Sequence, residues 1–165
     1  MTTEELPPFQ FSIMRILDCG FMIEEAISPE NNNIQIGYGM SFTFDTQNDW
    51  IEYLIRTDFR EKDSNIKFLS GTVLTRFNIA NLVSFVDENQ KINFPDGSLE
   101  ILFGIAFGHM RAIVSKNIAG SRFSHFIIPI INQQSLFKEL LEANIERVKK
   151  IRETELIKKE DKIRN

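Results

Sequence analysis

The stretch from residue 98 to residue 141 restricts the fold more than any other. Leu99, Leu102, Phe103, Ala106, Phe107, Met110, Ile113, Val114 and Ile118 step by three and four, the spacing that gathers side chains on one side of an α-helix. Asp96 or Ser98 is placed to cap its start, and Gly120 suits a left-handed stop at its end. The run Phe126-Ile-Ile-Pro-Ile-Ile-Asn132 cannot prolong the helix, because Pro129 breaks it. Ser135 then reads as the N-cap of a second helix with Leu136, Phe137, Leu140, Leu141, Ile145 and Val148 along one side. Gly104 and Gly108 lie four apart beside the long stripe. Each costs about 1 kcal/mol against Ala in a helix, a cost that close approach of a neighbour would offset.

The first half carries a different period. Phe9, Phe11 and Ile13 alternate with polar neighbours, and that strand continues irregularly toward Ile23. Ile34, Ile36, Tyr38, Met40, Phe42 and Phe44 alternate with Gln35, Gly37, Gly39, Ser41, Thr43 and Asp45, so one face is apolar and the other small or polar. Residues 50–60 and 66–80 read as two further strands around a turn at Glu61–Asn65, and residues 87–97 as a polar connection. The expectation is an α+β fold: a four-stranded antiparallel meander packed with a long helix and a second, C-terminal helix. Residues 1–8 are expected to be flexible, 9–145 to form one domain, and 146–165 to form a charged helical extension.

Composition narrows the function. The chain has 15 Phe against 2 Tyr and 1 Trp, an excess that fits a thick core, an oligomer seam or an apolar surface that awaits a ligand, core and subunit contact being the default for any one of them. The net charge is −4; from Glu146 onward eight Lys/Arg face five Asp/Glu, leaving about −7 on the rest. Nucleic-acid binding is not expected, since the aromatic strand residues lie opposite Ser, Thr and Asp and only the tail is basic. Cys19 stands alone, so no disulfide forms within one chain and a reducing compartment fits. The acidic start Met1-Thr-Thr-Glu-Glu lacks the apolar core of a signal peptide, and no apolar run is expected to reach the roughly 18–20 residues of a membrane span. A cytoplasmic protein without stable membrane insertion is the expectation.

Chemistry is hard to find. His109 and His125 have no Cys or carboxylate at metal spacing, and no Gly-rich loop follows a strand to cradle phosphate. Cys19 has no neighbouring His, and Glu24-Glu25 lies on a surface-like stretch. Neither enzymatic activity, nor a cofactor, nor a metal is expected.

The ordered combination of Phe77-Asn78-Ile79-Ala80 closing the fourth strand, the Leu99–Ile118 helix with Arg111 inside it, the Phe126–Asn132 segment with Pro129, and Leu136-Phe137 opening the last helix resembles the SecB family of export chaperones, over residues 9–145. The resemblance implies a homotetramer, built as a dimer of dimers with long helices between the sheets. It implies an ATP-independent holdase that binds unfolded polypeptides in long apolar grooves. By position it assigns Phe21, Met22, Tyr38, Met40, Phe42, Phe44, Phe123 and Phe126 to the groove, and Gly104, Phe107, Gly108 and Arg111 to the oligomer interface. Delivery to the translocase motor SecA belongs to the same implication. Where the family carries carboxylates on the fourth strand, this chain has Leu69-Ser70-Gly71, and its Lys-rich tail replaces a short acidic one. The alternative is an adaptor of the same fold that binds one dedicated partner, such as a toxin–antitoxin component.

Overall fold

A computed structural model describes residues 8–27, 33–88 and 91–147. Four strands, β1 (Phe11–Ile23), β2 (Ile34–Asp45), β3 (Trp50–Glu61) and β4 (Lys67–Ile79), form one antiparallel sheet, followed by α1 (Ser98–Ile118). Residues 133–147 form a second helix, α2. The expected flexible residues 1–7 and the extension from residue 148 onward lie outside the described residues.

The fold class is as the sequence implies, but the strand order is not that of a simple meander. The order is β1-β4-β3-β2. β2, β3 and β4 are joined by short turns, whereas β1 pairs with β4 at the far edge. The connection 24–33 permits this, since ten residues reach about 33 Å. Crossing three strand spacings takes only about 14 Å. β1 also carries two bulges, at Met14 and at Cys19, which account for its irregular pattern.

One sheet face is the core face. Ile51, Tyr53, Ile55, Thr57 and Phe59 of β3 alternate inward and are buried, and the inward residues of β4 continue them. A bulge between Lys67 and Leu69 turns Phe68 inward as well. α1 lies across this face with Leu102, Phe103, Ala106, Phe107, Met110, Val114 and Ile118 buried. Gly71 of β4 lets it settle: a Cβ there would overlap the Val114 side chain. Two buried polar groups are satisfied across this layer. The Tyr53 hydroxyl donates to the Leu99 carbonyl at 3.0 Å, and Thr75 Oγ1 sits 3.1 Å from His109 Nδ1.

The helix ends differ from expectation in detail. Gly97, at φ 80°, is the N-cap of α1, and no side chain caps it. Asn132 starts α2, its Oδ1 accepting from the Ser135 N–H at 3.0 Å, so Ser135 lies inside the helix rather than at its cap. Gly120 does take the left-handed conformation, at φ 80°. α1 also corrects an expectation about membranes: it is long and apolar enough, by length and composition, to cross one. Its apolar stripe lies against the sheet.

A candidate binding furrow along one sheet edge

The parity of β2 creates the site. The Lys62 N–H donates to the Asn33 carbonyl at 3.0 Å, and the β2–β3 register is unbroken from there. Odd residues of β2 therefore bond to β3, and the backbone groups of even residues point to the open edge. The even residues are also those with apolar side chains on the core face. Ile34, Ile36, Tyr38 and Met40 thus present both backbone and apolar surface along one line.

The chain after α1 forms a roof beside that line. Phe123 and Phe126 pack against Phe59 and Phe68, with ring centroids 5.6–6.4 Å apart. Arg111 Nε donates to the Ile128 carbonyl at 3.3 Å, and Arg122 donates to the Ile27 carbonyl at 2.6 Å. At the other end Asn144 Nδ2 donates to the Met40 carbonyl at 2.6 Å, tying α2 to the strand edge. An extended chain exposes alternate sides, and Phe126 and Ile128 turn inward while Ile127 remains 72% exposed; beyond Pro129 the alternation lapses, and Ile130 is 87% exposed.

Between roof and edge lie three open hollows. The first, about 370 Å³, has Ile34, Ile36, Phe59, Phe126 and Ile127 on its walls, with His125 at its rim. The second, about 560 Å³, shares Ile36 with it and adds Tyr38, Ile131, Leu136 and Glu139. The third, about 410 Å³, shares Tyr38 and Leu140 with the second and curls round the edge to Leu54, Arg56 and Arg147. They succeed one another along β2 as a furrow. The Tyr38 hydroxyl within it is buried without a hydrogen-bond partner among the described residues, and burial raises its pKa, partly offset by the Arg111 charge.

The structure distributes the expected groove residues widely. Tyr38, Met40 and Phe126 line the furrow, and Phe126 is anchored in the aromatic cluster. Phe123 is buried in that cluster. Phe42 and Phe44 sit further along β2 on the core face, their rings 6.3 Å apart. Phe21 is on the core face of β1, and Met22 is on the opposite face. Of the residues expected at a subunit seam, Phe107 is buried with its ring 5.4 Å from Tyr38, Gly104 lies against Gln133 of the same chain, Arg111 holds the roof, and Gly108 is open. Sequence reasoning missed Ile34, Ile36, Ile127, Ile131 and Leu136. The signal was present: five apolar side chains around Pro129 in extended conformation cannot all turn inward.

A second apolar surface lies at the opposite edge. Phe11, Ile13, Met14 and Ile16 of β1 are exposed, as is Ile101 of α1. Among the described residues, no group of three or more His, Cys, Asp or Glu side chains could hold a metal ion.

No protein-family model matches the chain, and no curated protein matches it either. Among solved structures it is similar to a Mycobacterium tuberculosis SecB-like chaperone in complex with a ChAD peptide from an antitoxin, with TM-score 0.46 and 8% identity over 74% of this chain and 87% of that one. It is also similar to a protein of unknown function from Streptococcus agalactiae, with TM-score 0.37 and 9% identity over 76% of this chain and 100% of that one. Likenesses this loose carry nothing about family, activity or partners.

Proposed function

We propose that this protein is an ATP-independent holdase of SecB-like architecture that binds unfolded polypeptide segments in the furrow along β2. The furrow itself carries the reading. It is long and open, with Ile34, Ile36, Tyr38 and Leu136 along its walls, and it is bordered by the bare Ile127 on a roof pinned at both ends. A client side chain buried against Ile36 or Ile127 gains about 1.5–3 kcal/mol. Ordering a disordered segment costs about 2–5 kcal/mol. One contact therefore does not hold a client, and several along the furrow hold it reversibly. Nothing in that balance calls for nucleotide or a covalent step. The exposed side chains of β1 and α1 supply an apolar face for a second copy, so the holdase works as a homo-oligomer.

The test is suppression of aggregation of a thermally unfolding client, followed by light scattering without nucleotide. The wild-type protein is expected to suppress it near stoichiometric amounts. The double variant Ile127→Ser/Ile130→Ser is expected to lose most of that effect while keeping its melting temperature, because both side chains are exposed. A well-folded wild-type protein that leaves aggregation unchanged overturns the reading and favours an adaptor for one folded partner.

A further inference from the structure

The sheet face opposite the core has a charge pattern of its own. The registers align Leu17 of β1, Leu74 of β4 and Leu54 of β3 in one row across it. One step along the strands lies the row Arg15, Arg76 and Glu52. Arg76 is committed there: it pairs with Glu52 at 2.7 Å and stacks over Trp50 at 4.2 Å. Arg15 is exposed. On the other side of the leucines, Asp58 is shared by Arg56, Arg60 and Lys67 at 3.3, 3.6 and 3.7 Å, one anion among three cations. Asp45, at the corner, is held by the turn amides of Gln47 and Asn48. The strand residues of this face thus carry five cations against three carboxylates, on a chain whose net charge is −4. Sequence reasoning placed the basic groups in the tail alone; the sheet collects them from three strands.

We propose that this face docks an acidic amphipathic helix of another protein, its apolar stripe on the leucine row and its carboxylates on the flanking cations. Successive same-face rows are about 7 Å apart, so Arg15 and Arg76 on one side and Arg56 on the other stand about 14 Å apart across the leucines, with Arg60 and Lys67 two rows further out. A helix with side chains is about 10–12 Å across, which fits between them. The third hollow opens at the β2 end of the row and carries Arg56 and Arg147 without a carboxylate. A single-stranded nucleic acid fits less well. Trp50 is the one aromatic side chain on this face, and Arg76 covers its ring. The surface is separate from the first two hollows of the furrow, so the inference does not rest on the holdase function.

Trp50 is the only Trp in the chain and lies one row beyond the Arg15–Arg76–Glu52 row, its ring under Arg76, so its emission reports on this face. The probe is a synthetic 18-residue helix without Trp, with Leu on one side and Glu on the flanks, and a twin with Lys in place of Glu. The Glu peptide is expected to shift Trp50 emission saturably and to weaken sharply between 50 and 500 mM NaCl. The Lys twin is expected to do nothing. Arg15→Gln/Arg56→Gln is expected to weaken binding about fivefold, and Leu17→Ser to weaken it as well, with melting temperatures checked for each variant. Equal binding of both peptides, or no response to either, overturns the proposal. So does a thymidine oligonucleotide that shifts Trp50 where the Glu peptide does not.

Discussion

The two edges of one sheet are handled in opposite ways. The β2 edge lies under a roof held by the Phe59–Phe68–Phe123–Phe126 cluster at one end and by Asn144 at the other. The β1 edge has no such cover among the described residues, and it shows Phe11, Ile13, Met14 and Ile16 to solvent. Unpaired strand edges invite pairing with another chain. Roofing an edge at a distance leaves a furrow, which fits a transient guest. Leaving an edge bare and apolar fits a permanent neighbour, and the two bulges of β1 limit which neighbour matches its twist. Side chains of the same type thus serve different ends according to what lies beside them.

The largest test of this contrast removes the anchor of the roof. Phe68→Ala is expected to cost about 3–5 kcal/mol by denaturant unfolding, because Phe68 is fully buried between Phe59, Phe123 and Phe126. A cost below about 1 kcal/mol would mean that the cluster does not hold the roof. At the other edge, Ile13→Lys/Ile16→Lys is expected to remove about 3–5 kcal/mol of association energy. Sedimentation would then show monomers with an unchanged far-ultraviolet spectrum. Oligomers that persist would assign the seam elsewhere. Asn144→Ala is expected to cost about 1 kcal/mol and to speed amide exchange in α2 more than in α1. Equal exchange in both helices would show that α2 needs no tie to β2.

The smallest effect belongs to neither edge and serves as a control. Burial holds the pKa of His109 below its ordinary value. As pH falls through about 6.5 the unfolded chain takes up this proton first. Stability is therefore expected to decline below that pH and to be restored above it. His109→Gln should flatten the melting-temperature profile between pH 7.5 and 5.5 without altering oligomer or furrow; an unchanged slope would place its origin in other groups.

Periodicity made much of the scaffold legible. β2 spans the alternating residues 34–45, α1 begins one residue before its expected first stripe member, and the end of β4 falls within a residue of its expected limit. Those signals are local, and local spacing decides them. The strand order was not legible, because a ten-residue connection reaches either edge. Nor was the division of the phenylalanines: Phe123 is buried in the core and Phe42 half-buried on β2, although both sit in apolar surroundings in the sequence.

The amino-acid order by itself determined which residues alternate, which step by three and four, and where Gly120 and Pro129 interrupt them, since backbone geometry within a few residues settles each of these. The tertiary structure alone decided that β1 and β2 stand at opposite edges, that Ile127 and Ile130 stay outside while Phe126 goes in, and that five cations meet on one face. The first and last depend on registers between strands distant in sequence, and the second on the packing of Phe126 against Phe59 and Phe68; a side chain's neighbours across a fold are not written in the residues beside it.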